Sequence, residues 1–238
     1  MANPTFYHPQ FNNDVHVITL SELESLHASK SRRLKVGDKV KIINGNGLIG
    51  NGEIAKLQAK QVEIQILDRQ FLAQPPKITI ASALAKGDRT KSMVDKLTQL
   101  GVTEFIPLNC ERSVTKYKPA MQQKWQRIAI EACKQSQNPW LPKFSHAQSI
   151  DNFNCSDHQL VMFADQSGIS LQDGLSSKDI DTVNITALIG PEGGFSLKET
   201  DQMKKNGLIS VKLADTILRT ELASITIAAQ LQGFRTQK

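Results

Sequence analysis

The chain has 238 residues, of which 39% are hydrophobic and 22% charged, and its formal net charge is +6. This length accommodates one large domain or two small ones. No apolar run approaches the roughly 20 residues that a membrane helix needs, and the N-terminus lacks the basic start and apolar core of a signal peptide. Three scattered cysteines without metal-ligand spacing are typical of reduced thiols, so we expect a cytoplasmic protein that binds no metal and no membrane.

The positive charge is concentrated in the middle of the chain. Residues 77–143 carry a net charge of +7, whereas residues 1–76 carry +2 and residues 144–238 carry −3. A basic segment beside an acidic one indicates a face that meets a polyanion such as RNA. The alternative is an ordinary solvated helix surface.

The N-terminal third shows short strand patterns separated by tight turns. Ser21-Glu22-Leu23-Glu24 is a capping-box pattern that predicts a helix to about Lys30, and Asn44-Gly45-Asn46-Gly47 is a hairpin signal. Closely spaced strands with tight turns indicate a small β-barrel. The predicted strands are Val15–Leu20, Val36–Ile43, Gly52–Leu57 and Gln61–Leu67.

The remainder alternates between strands and helices, which predicts a mostly parallel α/β domain. Gln74-Pro75-Pro76 is the expected linker, because proline fixes φ and cannot donate a backbone hydrogen bond. Cys133 falls on the apolar face of the helix after Pro119, so we expect it in the core. The predicted strands are Lys77–Ala85, Glu104–Leu108, Gln159–Ala164, Ile185–Ile189 and Ser210–Ala214. The other predicted helices are Thr90–Leu100, Ser196–Asn206 with Gly207 after it, and a helix capped by Thr220 that runs to about Phe234.

Two loops follow strands in the last fifth of the chain. The first, Gly190-Pro191-Glu192-Gly193-Gly194, has neither the Gly-Lys-Ser/Thr of a phosphate-binding loop nor the GxGxxG dinucleotide pattern. It suits a ligand held by backbone groups, although a tight turn without a ligand is the alternative. The second loop is Asp215–Arg219, and the end of Gln159–Ala164 should supply a third. In open α/β sheets ligands bind at such strand ends.

Four blocks of sequence carry a resemblance to a known family. They are KGDRTKSMVDKLTQLGVTEFIPL, WQRIAIEACKQSQNPWLP, LIGPEGGFS and LADTILRTELAS. In this order the chain resembles the RsmE family of SPOUT methyltransferases, which methylate N3 of a uridine in 16S ribosomal RNA. The resemblance implies a SPOUT α/β domain with a C-terminal trefoil knot at residues 77–238, and a PUA-like β-barrel that binds RNA at residues 1–73. It also implies S-adenosylmethionine (SAM) as cofactor, a homodimer, and 16S rRNA or the small ribosomal subunit as partner, and we expect the assembled subunit to be the substrate.

The resemblance also assigns candidate residues. The predicted cofactor contacts come from the strand ends and the two loops: Ala164, Leu188, Ile189, Gly190, Pro191, Glu192, Gly193, Gly194, Leu213, Ala214, Ile217, Leu218 and Thr220. The predicted RNA contacts are basic residues: Arg32, Arg33, Lys35, Lys86, Arg89 and Arg112. The first three cluster before the hairpin of the barrel, and the alternative for each of them is an ordinary solvated charge.

Methylation at uracil N3 requires removal of the N3 proton or stabilisation of the resulting anion, which a carboxylate and a guanidinium can provide. We therefore expect Arg219 to steady the anion or a phosphate, with a salt bridge inside the loop as the alternative. Glu221 is the candidate base, although a carboxylate in the first turn of a helix is also favourable for the helix dipole.

The sequence departs from the family pattern at Gln99, Asn138 and Ala214-Asp215-Thr216, where relatives usually carry glutamate, arginine and Gly-Pro-Arg. A second hypothesis is therefore a non-catalytic RNA-binding or ribosome-assembly factor that retains the knot. A third, a nucleotide-dependent α/β enzyme, is disfavoured because the phosphate-binding motifs are missing.

Overall fold

A computed structural model describes residues 3–31, 33–58, 60–153, 159–176 and 181–236. Contacts divide the chain into two units, which we call the N-terminal unit (Met1–Gln74 with Ile130–Leu141) and the C-terminal unit (Pro75–Ala129 with Pro142–Lys238). Each has its own hydrophobic core.

The N-terminal unit contains a five-stranded sheet in the order β1-β3-β4-β5-β2. The four predicted strands are present, and β1, which the sequence did not indicate, pairs parallel with β3. Alternate side chains of β4 and β5 are buried, as the period of a strand with one core face requires. The strands are β1 (Thr5–Tyr7), β2 (Val17–Thr19), β3 (Lys39–Ile43), β4 (Leu48–Gln58) and β5 (Gln61–Phe71).

The turn chemistry of this unit matches its sequence. Gly45 and Gly47 in the β3–β4 hairpin have φ angles of 81° and 89°, which glycine adopts without strain. The Ser21 hydroxyl accepts a hydrogen bond from the Glu24 N–H at 3.3 Å. Helix α1 (Glu22–Leu26) is shorter than predicted, and it continues as a π-helical turn at His27–Ser31.

The C-terminal unit contains a seven-stranded sheet in which every pairing is parallel. The order is β12-β10-β11-β6-β7-β8, and β9 also pairs with β7. All residues of β6 and β11 are buried, which explains their continuous apolar pattern. The strands are β6 (Ile78–Ala83), β7 (Glu104–Asn109), β8 (Lys143–Phe144), β9 (Gln148–Ser149), β10 (Leu160–Ser170), β11 (Ile185–Ile189) and β12 (Ile209–Lys212).

Helices accompany this sheet as the alternating pattern predicted. Met93, Val94 and Leu97 of α2 are buried against Ile227 and Leu231 of α6 in one core cluster. The capping box of α5 is present at Ser196 and Glu199, and Gly207 follows the helix with a φ of 78°. Strand β12 ends at Lys212, two residues earlier than predicted. The helices are α2 (Arg89–Gln99), α3 (Ala120–Ser136), α4 (Leu171–Leu175), α5 (Leu197–Lys205) and α6 (Thr220–Thr236).

Candidate functional site

A cavity of about 380 Å³ lies in the C-terminal unit, where the carboxyl ends of β11 and β12 meet the middle of β10. Its size falls within the usual range of ligand pockets. Its wall combines apolar side chains, a glycine-rich backbone and a few polar groups. The lining residues are Arg112, Ala164, Asp165, Gln166, Ile189, Gly190, Pro191, Glu192, Gly193, Gly194, Phe195, Thr200, Leu213, Ile217, Leu218, Thr220 and Ala223.

The first loop, defined here as residues 190–195, forms a tight turn between β11 and α5. The Gly194 N–H donates to the Pro191 carbonyl at 2.8 Å, and Gly194 has a φ of 69°. A Cβ on Gly190 would lie 3.2 Å from the Phe195 ring. Glycine is therefore needed both for the backbone conformation and for the close approach.

Arg112 holds this loop from the segment that follows β7. Its Nη1 donates to the Gly193 carbonyl at 2.8 Å and lies 3.4 Å from the Phe195 carbonyl. The preceding Glu111 N–H donates to Glu199 Oε1 at 2.9 Å. Arg112 was predicted to contact RNA, whereas the structure commits its guanidinium to the loop backbone and places it on the cavity wall.

Arg89, at the start of α2, faces two carboxylates. Its guanidinium lies 3.2 Å from Glu192 Oε1 and 3.7 Å from Glu221 Oε1. Glu192 lines the cavity and Glu221 does not. Glu221 Oε2 is buried without a hydrogen-bond partner among the described residues. One cation therefore connects the first loop to the first turn of α6.

Thr220 was predicted to cap α6, and this prediction is wrong. Thr220 is the first residue of the helix, and its hydroxyl donates to the Gly190 carbonyl of the first loop at 3.1 Å. The hydroxyl thus joins the start of α6, which directly follows the loop after β12, to the first loop, which is distant in sequence. The helix pattern alone gives no signal for such a contact.

The second loop, defined here as residues 213–219, is held by two glutamine amides and one solvent-exposed ion pair. Gln166 Nε2 donates to the Thr216 carbonyl at 2.9 Å, and Gln230 Nε2 lies 3.3 Å from the Leu213 carbonyl. Ile217 lines the cavity with 87% of its surface exposed. Lys212 bonds Asp215 at 2.8 Å, and this contact lowers the pKa of the exposed Asp215 carboxyl.

The third wall comes from an irregularity in β10 and not from its end. The strand pairs with β12 up to Ala164 and resumes at Ile169, so the predicted strand end at Ala164 is wrong. The residues between these two paired positions, 165–168, form a bulge that brings Asp165 and Gln166 to the cavity. Bulges are common next to functional sites because they re-aim side chains.

Most predicted cofactor contacts lie on this cavity, and two do not. Leu188 is fully buried in a hydrophobic cluster with Phe163 and Met203, because alternate residues of β11 point to opposite faces of the sheet. Ala214 is half-buried but off the wall. Five other wall residues were not predicted from the sequence. Two of them, Asp165 and Gln166, directly follow Ala164, where a third loop was expected; the other three carried no signal. The five residues are Asp165, Gln166, Phe195, Thr200 and Ala223.

The two predicted catalytic residues lie beside the cavity but outside its wall. Arg219 is exposed, and its side chain forms no hydrogen bond or ion pair with the part of the chain that the structure describes. The salt bridge that we considered within the loop joins Lys212 to Asp215 instead. Glu221 is in the first turn of α6, where its charge favours the helix dipole.

The remaining predicted RNA contacts are surface residues. Arg33 is exposed with a φ of 53°, and the Lys35 N–H donates to Asp38. Lys86 is exposed, and its carbonyl lies 3.3 Å from Arg89 Nε. Arg32 lies outside the described residues.

Two departures from the family pattern make local hydrogen bonds. Gln99 Nε2 donates to Asp95 on the same helix at 3.0 Å, and Asn138 Oδ1 accepts from the Trp140 N–H at 3.0 Å. Both side chains therefore support the backbone or helix in which they lie.

The cysteines that the structure describes are structural. Cys110 and Cys133 are buried and unpaired. Burial raises the pKa of each thiol to about 12, and the charge of Glu199 adds to the shift at Cys110. Their thiolates are therefore scarce at neutral pH, and Cys133 lies in the core as predicted.

The described ranges contain neither a candidate metal site nor a candidate membrane-spanning helix. Within them, no cluster of three or more His, Cys, Asp or Glu side chains is arranged to hold a metal ion. None of the helices described is both long and apolar enough to cross a membrane.

A parallel sheet with a cavity at the carboxyl ends of its strands is the arrangement in which α/β proteins bind ligands. Comparison with known protein families identifies which class of α/β protein this is. Residues 73–232 match the RNA methyltransferase domain family, and residues 22–67 match the RNA methyltransferase PUA domain. The chain therefore belongs to the RNA methyltransferase family, as its resemblance predicted.

Individual relatives agree over nearly the whole chain. Ribosomal RNA small subunit methyltransferase E of Buchnera aphidicola is 29% identical over 96% of this chain and 95% of its own. The enzyme of the same name from Bacillus subtilis is 27% identical over 84% and 82%.

Solved structures give the same fold. A Legionella pneumophila protein solved with bound SAM has a TM-score of 0.86 at 26% identity, covering 98% of both chains. The ribosomal RNA small subunit methyltransferase E of Neisseria gonorrhoeae has a TM-score of 0.85 at 24% identity, again over 98% of both. These similarities confirm a SPOUT-type α/β domain with an N-terminal PUA-like domain. The trefoil knot itself stays a prediction.

Proposed function

We propose that this protein transfers the methyl group of SAM to N3 of a uridine in 16S rRNA, on the assembled small ribosomal subunit in the cytoplasm. The observation that carries the proposal is the cavity formed by two loops at the carboxyl ends of parallel strands, in a chain of the RNA methyltransferase family. The proposed uridine follows the resemblance of the loops to the RsmE family.

The chemistry of the cavity suits SAM better than a phosphorylated ligand. Two carboxylates, Asp165 and Glu192, line the wall, and the one guanidinium among the described lining residues, Arg112, is committed to backbone carbonyls. Such a wall repels phosphate and favours the sulfonium and ammonium charges of SAM. The apolar side chains of Ile189, Leu213 and Leu218 offer a slot for a planar base.

The protein itself has to orient the uridine and manage its N3 proton. SAM, when bound, supplies a methyl group that is already activated as a sulfonium. Alignment of N3 with that methyl group provides a large part of the rate. Arg219, which is exposed beside the second loop, is suited to hold a phosphate or the uracil anion, and Glu221 stays the base that the sequence predicts.

RNA binding is proposed for residues 1–73 as a PUA-like module and for a basic edge of residues 77–238. Phosphate contacts position the substrate, whereas contacts to bases specify it. The proposed contacts on the module are Arg32, Arg33 and Lys35, and those on the edge are Lys86, Arg89 and Arg112. Arg89 and Arg112 stay partly exposed beside their partners in the first loop.

A homodimer is also part of the proposal. Helix α6 buries Ile227, Ala228 and Leu231 in the core of the C-terminal unit. Leu222 on the same helix stays 48% exposed, and Ile217 in the preceding loop is exposed as well. Exposed apolar groups close together are typical of interaction surfaces. A monomer by light scattering at micromolar concentration would contradict this part.

The test is to incubate the protein with methyl-labelled SAM and small subunits from cells that lack the activity, with naked 16S rRNA in parallel. The RNA is then digested and the labelled nucleoside is identified by mass spectrometry. We expect 3-methyluridine, with more label from subunits than from naked RNA. Label in another nucleoside would overturn the target, and no label from unmodified subunits would favour the non-catalytic assembly factor.

A further inference from the structure

We propose that Glu192 accepts the N3 proton of the uridine, and that Arg89 positions its carboxylate. This inference rests on the proposed function and assigns the base within the same site. It moves the role from Glu221, the carboxylate predicted by sequence, to a residue of the first loop.

Access distinguishes the two carboxylates. Glu192 lines the cavity and 39% of its side chain is exposed. Glu221 lies outside the cavity wall, 16% of its side chain is exposed, and its Oε2 is shielded from solvent. A general base has to come within hydrogen-bond reach of the proton that it removes. Glu192 is open to a ligand in the cavity, as this condition requires.

Arg89 connects the two groups in a way that suits proton transfer. Its guanidinium lies 3.2 Å from Glu192 and 3.7 Å from Glu221. When Glu192 takes a proton and loses its charge, Glu221 still balances the partly exposed Arg89. Glu221 thus serves as the fixed anchor and Glu192 as the carboxylate that changes protonation. The charged group that faces Glu192 is Arg89 from α2, which also lies near Glu221 from α6. Arg112 beside the first loop binds the carbonyl of the next residue, Gly193.

The other carboxylate on the cavity wall is less suited to this role. Asp165 Oδ1 accepts hydrogen bonds from both the N–H and the hydroxyl of Ser167, at 2.9 and 3.0 Å. Asp165 also belongs to the β10 bulge, whose neighbour Gln166 contacts the second loop. Glu192 instead pairs with Arg89, and the Arg112 guanidinium binds the carbonyl of the following residue, Gly193. This is the basic side from which a polyanion would approach.

The proposed step balances in atoms and electrons. The proton on N3 moves to a carboxylate oxygen of Glu192, and the electron pair left on N3 forms the new N–CH₃ bond. The S–CH₃ bond breaks, and its electron pair stays on sulfur, which becomes a neutral thioether. Because Glu192 is partly exposed, it can then return the proton to water.

The decisive variant is Glu192→Gln, measured by single-turnover methyl transfer from pH 6 to 10 and by calorimetric titration with SAM. We expect a fall of about 10²- to 10⁴-fold in rate at neutral pH, the usual contribution of a positioned base. SAM affinity should fall far less than the rate, because the amide keeps the shape of the side chain and Asp165 still supplies a carboxylate on the wall. The rate of the variant should recover at alkaline pH, where uracil N3 ionises without help.

A second substrate isolates the proton transfer. RNA that carries 5-fluorouridine has a more acidic N3, so the defect of Glu192→Gln should be smaller on it than on normal RNA. Asp151→Asn, which removes another partly exposed ion-paired carboxylate of the same unit, is the matched control. It should leave both substrates unaffected.

Arg89 is tested as a positioning residue by the split between rate and affinity. Arg89→Gln should lower the single-turnover rate without a matching loss of SAM affinity, because a displaced carboxylate impairs proton transfer and not cofactor binding. Its defect should be smaller on RNA that carries 5-fluorouridine, and Arg89→Lys should restore most of the rate. A merely structural role would lower SAM affinity together with the rate and would affect both substrates equally.

Three results would overturn the proposal. They are a wild-type rate in Glu192→Gln, a loss of SAM affinity as large as the loss of rate, or alkaline and 5-fluorouridine rescue in Glu221→Gln instead. If the wild-type protein labels no uridine N3, the proposed function fails and this inference fails with it. If wild-type labels uridine N3 and Glu192→Gln does so equally, only this inference fails.

Discussion

The two loops of the cavity differ in the contacts that hold their backbones. Residues 190–195 are held by Arg112 through backbone carbonyls, by Arg89 through Glu192, and by the Thr220 hydroxyl through Gly190. Residues 213–219 are held by two glutamine amides and by a solvent-exposed ion pair between Lys212 and Asp215, and Ile217 projects with 87% of its surface exposed. The first loop is therefore formed before any ligand arrives, whereas the second presents apolar surface that a ligand can cover.

This difference indicates how the cavity divides its work. A preformed backbone loses little conformational freedom on binding and provides specific geometry. An exposed apolar side chain gains free energy only when it is covered. We infer that the first loop sets the position of the methyl donor and that the second contributes affinity by closing on it.

The largest expected effect comes from removing the main support of the first loop. Arg112→Ala should lower SAM affinity by about 10- to 100-fold, because hydrogen bonds from a charged group contribute about 1.5–3 kcal/mol. Isothermal titration calorimetry measures it. The control is Arg127→Ala, an exposed arginine of the C-terminal unit away from the cavity. Equal affinities of the two variants would show that the first loop does not need this anchor.

The next effect tests the second loop. Ile217→Ser should lower SAM affinity about tenfold, the lower end of the roughly 1.5–3 kcal/mol for full burial of a large apolar side chain, because a ligand covers Ile217 only in part. The melting temperature should not change, because Ile217 is already exposed. Leu197→Ser is the matched control, since Leu197 is 81% exposed and lies off the cavity. A drop in melting temperature with unchanged affinity would reverse our view of this loop.

A smaller effect should follow from loss of the contact between the loops. Thr220→Val removes the hydroxyl that donates to Gly190 and should weaken SAM binding about fivefold, as expected for one hydrogen bond of about 1 kcal/mol. Thr103→Val removes a similar hydroxyl, which donates to the Ile78 carbonyl at 2.9 Å, at the opposite ends of the strands. It should cost similar stability without loss of affinity. Equal losses of affinity in both variants would argue against a local role for Thr220.

The smallest effect concerns the packing behind the first loop. The pKa of about 12 at Cys110 and Cys133 keeps both thiols protonated, and the thiolate is the reactive form. Alkylation by iodoacetamide at pH 8, followed by site-resolved mass spectrometry, should be slow at both residues. It should rise with pH up to about 12. Arg112→Ala should speed alkylation of Cys110, two residues away, more than that of Cys133. Rapid labelling of both in the wild-type protein would contradict the burial.

Local patterns predicted what depends on neighbours in sequence. The capping box at Ser196, Gly207 after α5, the β3–β4 hairpin and the buried strand β11 all follow from turn chemistry and side-chain period. The two loops and most of their cavity residues followed from the order of strands together with the family resemblance. Strand β1, which pairs parallel with β3, was not predictable, because a three-residue strand carries little pattern.

Contacts between distant residues lay beyond sequence reasoning. Arg89 meets Glu192 and Glu221, and Thr220 meets Gly190, only because parallel strands bring their loops to one edge of the sheet. Sequence therefore identified Glu221 as a carboxylate near a loop but could not show that Glu192 faces the cavity. The β10 bulge was read as a strand end because its polar residues interrupt the apolar pattern in the same way.

The account depends most on the claim that SAM occupies the cavity between the two loops. Hydrogen–deuterium exchange with and without saturating SAM tests it directly. We predict that amides of residues 213–219 gain protection on binding, while those of residues 190–195 are already slow and change less. Protection confined to other parts of the chain, or none at saturation, would contradict the account.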